Sequence, residues 1–192
     1  MKRNRLLLLV TLVVATVFLG ACGEKKPAMQ PGTDASVSPL DLFQKVWSSF
    51  GDDEKFPMAG GDFSKANMEN PDVYDVAANK DSFISTFLVS EDMLSSITGD
   101  VVTGMHMMNS NTFCGAMFKL TDASKASDFA ESYKKAVQGN QWMCGFPDTV
   151  VVLSCGDVIV IAYGEDSIIK SFKDKCTQAD CKLIIEAPAL EG

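Results

Sequence analysis

From residue 39 onward the apolar positions change their spacing several times, and each change marks an element. Leu40, Phe43, Val46, Trp47 and Phe50 recur at the period of one helix face. Ser38 offers an N-cap, Pro39 suits the first helical position, Asp41 completes a capping-box-like pattern, and Gly51 ends the run. The spacing therefore predicts a helix over 39–50. Residues 52–80 are rich in Asn, Asp, Gly and Pro and read as irregular chain. Phe83 to Val89 reads as a short strand. Ser90 caps a short helix through Ile97, with Glu91 and Asp92 in its first turn, and Thr98-Gly99-Asp100 stops it. Residues 101–109 fit either period.

Beyond Asn111 the pattern sharpens. Residues 112–120 read as a strand. Residues 124–138 form a helix with Ala126, Phe129, Ala130, Tyr133, Ala136 and Val137 on one face and Gly139 past its end. Residues 149–153 and 158–163 are strands rich in β-branched residues, joined by a tight turn at Ser154-Cys155-Gly156-Asp157. Residues 166–175 form a helix with Ile168, Ile169 and Phe172 inward, its acids at the start and its lysines near the end, as the helix dipole favours. Residues 182–187 are a last strand, ended by Pro188.

That order, β-α-β-β-α-β, is the ferredoxin-like plait, an α+β fold. A plait covers one face of its sheet with both helices. Here Val150-Val151-Val152-Leu153 and Val158-Ile159-Val160-Ile161 are apolar on both alternating faces, so both faces must be buried. The expectation is a ferredoxin-like sheet whose second face is covered by the N-terminal segment 39–108, led by Leu40, Phe43, Val46, Trp47 and Phe50.

The residues before this domain have their own pattern. Lys2, Arg3 and Arg5 precede an apolar run of 14 residues, Leu6 to Leu19. That is a signal-peptide length, short of the ~20 residues a membrane-spanning helix needs. Leu19-Gly20-Ala21-Cys22 matches the lipobox of bacterial lipoproteins at all four positions. The resemblance implies cleavage before Cys22, a diacylglyceryl thioether on its sulfur and further acylation of the palmitate class. Two or three acyl chains anchor stably, so the protein is expected at the extracytoplasmic face of the cell membrane. Residues 23–38, with Lys25-Lys26-Pro27, Pro31-Gly32 and few large apolar residues, read as a flexible tether. The expected organisation is a signal peptide over 1–22, a tether over 23–38 and a single α/β domain over 39–192.

The layout resembles a family of small lipoproteins of Gram-positive anaerobes that carry a domain of unknown function. The shared features are the lipobox, the amphipathic first helix, and Leu88-Val89-Ser90-Glu91-Asp92-Met93-Leu94 followed by Gly99-Asp100. The strand, helix and Val/Ile hairpin then follow in order. The likeness spans most of 39–175. It implies lipid anchoring and a compact α/β domain, and brings no catalytic residues.

Charge narrows the partners. All 25 acidic residues follow Cys22, against 14 of the 17 basic ones, so the chain from Cys22 onward carries a formal charge of −11. Such a surface repels nucleic acid and anionic lipid headgroups, which leaves the acyl groups on Cys22 as the expected membrane contact.

The chemistry-bearing residues are few. Cys114, Cys144, Cys155, Cys176 and Cys181 lie in an exported segment, where disulfides are permitted. In the plait reading, with the first and third strands parallel and adjacent, Cys114 and Cys155 meet at one end of the sheet. Cys176 and Cys181 flank a short loop at the other. Those two pairs are the expected disulfides, with Cys144 the free thiol. The alternative is an exported metal or redox protein using Cys144, Cys176 and Cys181, or the thioether and imidazole donors of Met105, His106, Met107 and Met108, which suit Cu(I). His106 is the only histidine, which gives no support to a hydrolytic triad. Asp52-Asp53-Glu54 and Glu165-Asp166 read as a solvated turn and a helix start, a weaker basis for carboxylate chemistry. Asn70, Asp72, Asp75 and Asp81 fit no standard calcium loop. There is no phosphate-binding or dinucleotide-binding motif. The expected protein is a non-enzymatic binding or accessory protein of the cell envelope, needing no cofactor or metal and taking an envelope protein or small ligand as partner.

Overall fold

A computed structural model describes residues 37–143 and 145–190; the leader, Cys22, the tether up to residue 36 and Cys144 lie outside the described residues. Helix α1 spans Pro39–Ser48, with the Ser38 hydroxyl accepting the Asp41 N–H at 3.4 Å and Leu42, Phe43, Val46 and Trp47 buried. Three very short strands follow, β1 Met58–Gly60, β2 Asn67–Met68 and β3 Asp72–Tyr74. Helix α2 (Lys80–Phe87), the single turn α3 (Glu91–Leu94) and the long strand β4 (Ile97–His106) complete the first half. The second half is β5 (Phe113–Leu120), α4 (Ala126–Gln138), β6 (Thr149–Cys155), β7 (Val158–Gly164), α5 (Asp166–Gln178) and β8 (Lys182–Pro188). Among the described residues, no helix is long and apolar enough to cross a membrane.

The fold is α+β, but its strand order is not that of a plait. The sheet is antiparallel, in the order β2-β1-β4-β5-β7-β6-β8, with β3 also pairing with β4. In a plait the last strand returns to lie beside the first; here β8 lies at the far edge, against β6. The consequence follows from handedness. Both βαβ crossovers, β5-α4-β6 and β7-α5-β8, skip one strand and move the same way across the sheet, while β5 and β7 run in opposite directions. Two right-handed crossovers of that kind must place their helices on opposite faces.

The packing agrees. Phe43, Val46 and Trp47 of α1 share one core with Ile169, Phe172 and Cys176 of α5, over Val102, Phe113, Met117, Val151, Leu153, Val158 and Val160. Phe83 and Phe87 of α2 share the other core with Phe129, Ala130 and Tyr133 of α4, over Phe118, Val150, Val152, Ile159 and Ile161. Both faces are buried, as the unbroken apolar strands require. The expectation that both later helices share one face and the N-terminal segment covers the other is overturned: α1 and α5 cover one face, and α2, α3 and α4 the other.

Two further expectations change. Residues 83–87 are helical. Phe83 and Phe87 stack four residues apart at 5.1 Å and pack on Tyr74 at 5.2 and 5.8 Å, a period of one helix turn that outweighs their strand propensity. Residues 58–74 hold three strands that no alternation announces, because each has only two or three residues and takes its register from β4 or β1. Trp47 fastens this region to α1 by donating its indole N–H to the Glu69 carbonyl at 2.6 Å. In β4, Gly99 at φ +70° opens a bulge between Thr98 and Val102 that resets the pairing with β5.

Candidate functional site

At the end of the sheet where β4 passes to β5, two loops meet, residues 107–112 and 139–148. His106 closes the first: its Nδ1 accepts the backbone N–H groups of Met108 and Asn109 at 3.2 and 3.3 Å, while its ring stacks on Phe56 at 5.6 Å. The Met107 N–H donates to the Pro57 carbonyl at 2.9 Å. Trp142 anchors the second loop by packing edge-on against Tyr163 at 5.1 Å. Asn111 joins the two, its Nδ2 donating to the carbonyls of Met143 and Gly145 at 3.4 and 3.0 Å. From this braced end Met108, Met143, Phe146 and Met107 project with 82%, 79%, 64% and 45% of their surface in solvent. A cluster of large exposed apolar side chains on ordered loops marks an interaction site more often than chance exposure. The sequence signal was Met143 and Phe146 inside a stretch of Gly, Asn, Gln and Pro.

Within the Met105–Met108 set, strand and loop geometry fixes how His106 and Met105 are held. The imidazole Nδ1 is committed to the loop backbone, and strand alternation sends Met105 to the face opposite His106. Among the described residues no group of three His, Cys, Asp or Glu side chains is arranged to hold a metal ion.

Glu54, Asp72, Asp75 and Asp166, among the acidic candidates, have structural partners. Glu54 accepts the Gly51 N–H at 2.8 Å and pairs with Lys175 at 3.0 Å, and these contacts lower its pKa, the backbone hydrogen bond foremost. Asp166 accepts from the Thr149 hydroxyl at 2.9 Å, and Asp75 from the Ala78 N–H at 3.0 Å. Asp72 holds the N–H of Val73, on the edge strand β3. Beside that strand runs a groove of about 640 Å³ lined by Val73, Val76, Leu94 and Ile97, with Asp75 and Asp100 at its rim.

The cysteines fall differently from the expectation. Cys114, Cys155, Cys176 and Cys181 are all free and buried. A Cys114–Cys155 bridge is excluded twice over. β5 and β7 are adjacent but antiparallel, so Cys114 aligns with Tyr163 and Val150 while Cys155 aligns with Val158 at the other end. The two thiols also belong to opposite cores. Cys114 lies against the Thr86 carbonyl at 3.6 Å, beside the Tyr163 hydroxyl, which donates to the same oxygen at 2.7 Å. Burial pushes its pKa up to about 12.

Cys176 and Cys181 do come together, through the end of α5. The Cys181 N–H bonds the Cys176 carbonyl and the Asp180 N–H bonds the Thr177 carbonyl, each at 3.0 Å, with Asp180 at φ +67°. This is a Schellman motif, whose usual apolar contact links the two positions that the cysteines occupy. Cys155 arrives from the β6–β7 turn, its thiol donating to the Ala179 carbonyl at 3.3 Å. Its membership in this group has no sequence signal, because it depends on which edge β8 takes. Compared with known proteins, the chain matches no family model, no curated protein and no solved structure.

Proposed function

We propose that this chain is a lipid-anchored binding protein of the cell envelope, held at the extracytoplasmic face of the membrane through Cys22. It docks a protein partner with the loops that carry Met107, Met108, Met143 and Phe146. The exposure of these four side chains on a braced end carries the reading. Fully burying such a side chain is worth roughly 1.5–3 kcal/mol, so a partner that covers them gains several such increments. Methionine adapts its shape to an irregular apolar surface, which suits a partner groove. The lipobox at 19–22 supports the location, and the formal charge of −11 from Cys22 onward supports a protein over a nucleic acid.

Two experiments test the two halves. Cys22→Ser moves the protein from the detergent phase to the aqueous phase on partitioning; wild-type protein found wholly in the aqueous phase with an unmodified Cys22 refutes the anchor. A photo-crosslinker at Met108 or Met143, on native membranes, joins a discrete partner that the same group at Ser132 on α4 does not. With the crosslinker at Met143, Met108→Asp with Phe146→Asp abolishes that adduct. Equal crosslinking from both faces, or adducts to lipid alone, refutes the docking end.

A further inference from the structure

At the opposite end of the sheet, three thiols from three separate elements converge. Cys155 ends β6, Cys176 lies in the last turn of α5, and Cys181 precedes β8. All three belong to the same core. The turn that bonds the Cys181 N–H to the Cys176 carbonyl also presents the Ala179 carbonyl to the Cys155 thiol, so Cys181 is the member set between the other two. Above them opens a cavity of about 330 Å³, lined by Asp41 and Lys45 of α1, by Cys155, and by Ala179 and Asp180. Of the three thiols only Cys155 lines it.

We propose that Cys155, Cys176 and Cys181 form a thiol–disulfide exchange site, in which Cys155 is the entry thiol and Cys181 the resolving thiol. The co-reactant is a small disulfide, RSSR, one half of which the cavity admits. The Cys155 thiolate attacks one sulfur of RSSR, forming Cys155–S–S–R and releasing one RS⁻. The Cys181 thiolate then attacks the Cys155 sulfur, forming Cys155–S–S–Cys181 and releasing the second RS⁻. Two protein thiols are oxidised, one disulfide is reduced, and the two protons leave with the released thiols. Attack by Cys176 on the Cys181 sulfur moves the bridge to Cys176–Cys181 and frees Cys155, with no net redox change.

The Lys45 ammonium lies at the cavity and favours both thiolates and an anionic disulfide; Asp41 and Asp180 are the opposing charges there, with Asp157 in the turn beside Cys155 paired to Lys119. Burial, then the hydrogen bond to Cys181, pushes the Cys155 thiol up to about 12. The hydrogen bond to Cys176, then burial, pushes Cys181 up further. Exchange is accordingly slow at neutral pH and quickens about tenfold per pH unit as thiolate accumulates.

The full chain, reduced and then incubated with oxidised glutathione under native conditions, is digested without reduction and mapped by mass spectrometry. Trypsin leaves Cys176 and Cys181 in one peptide, 176–182. A Cys176–Cys181 bridge makes that peptide lighter by two hydrogens; a Cys155–Cys181 bridge joins it to fragment 136–170, in which backbone fragmentation tells Cys155 from Cys144. One such bridge is expected, with Cys114 still reduced. In Cys155→Ser the bridge forms about tenfold more slowly or not at all. In Cys181→Ser no bridge forms, and Cys155 retains glutathione as a mixed disulfide. The proposal is overturned if all three thiols stay reduced in the folded protein, or if oxidation stops at a Cys155 adduct in the wild type. It is equally overturned if Cys155→Ser bridges at the wild-type rate. The wild-type map decides by itself should either variant not fold.

Discussion

Phe43 on α1 and Phe172 on α5 touch only because the β7-α5-β8 crossover carries α5 to the face that α1 covers. Their ring centroids are 5.7 Å apart, and Phe113 of the sheet lies 5.1 Å from Phe172. Both side chains are fully buried. Cutting either to alanine costs about 3–5 kcal/mol, and a domain of this size has about 5–15 kcal/mol in total, so the double alanine variant would forfeit much or all of the stability. Leucine keeps most of the volume, and each Phe→Leu change costs about 1–1.5 kcal/mol. An aromatic pair in this geometry contributes about 0.5–1.5 kcal/mol beyond its buried area. Once one ring is gone, removing the other loses nothing more from the pair. The double variant Phe43→Leu/Phe172→Leu should therefore be more stable than the sum of its singles by that amount. Phe129 of α4 packs on Phe118 in the opposite core, so Phe43→Leu/Phe129→Leu should add to within about 0.3–0.5 kcal/mol. Urea unfolding reads both pairs, followed by the fluorescence of Trp47 and Trp142, which lie with different cores. Additivity in the first pair as well would mean that the two rings do not touch, which takes α5 off the face that α1 covers and refutes the assigned strand order.

Other outcomes follow from single contacts. A Cβ on Gly164 would lie 2.3 Å from the Thr112 carbonyl oxygen, a backbone atom with no side chain to yield, so Gly164→Ala separates β5 from β7. It should cost about 1–3 kcal/mol and lower the Tm by about 2–12 °C in a thermal melt. Tyr163→Phe deletes the 2.7 Å bond to the Thr86 carbonyl and leaves that oxygen with the longer Cys114 contact, which should lower stability by about 0.5–1.5 kcal/mol in urea. Glu54, Asp62, Glu91 and Asp122 all have lowered pKa values, held down chiefly by the Gly51 N–H, the Ser64 hydroxyl, Lys80 and the Ser124 hydroxyl. The folded state then binds fewer protons than the unfolded chain. Their contribution is complete above the unfolded carboxylate pKa and is lost as the pH falls through the folded values. The urea midpoint should drop over that acidic range, and less steeply in Glu54→Gln.

Local period and capping made several elements legible. Helices α1, α4 and α5 are each written by an apolar stripe, with a Ser cap on α1, a closing glycine on α4 and acids first and lysines last on α5, and these depend on neighbours three or four residues away. The two apolar strands β6 and β7 announced that both faces of the sheet are covered, because alternation is a property of the strand alone. The helix at 80–87 was not legible: Phe83 and Phe87 suit a strand until Tyr74 is brought beside them. The strands of 58–74 were not legible either, since two or three residues become a strand only when β4 offers a partner.

Strand order was beyond the sequence for a stronger reason. β8 can bond the edge of β5 or the edge of β6 with the same kind of backbone hydrogen bonds, and nothing in residues 182–188 distinguishes them locally. That choice belongs to the packed whole. It decides the face of α5 and sets Cys155 beside Cys181, while the antiparallel pairing of β5 with β7 keeps Cys114 from Cys155. The short loop between Cys176 and Cys181 showed that pair to the reader of the sequence; the third thiol was visible only once the chain had folded, because it is 21 residues from Cys176 along the chain and reaches it through the sheet.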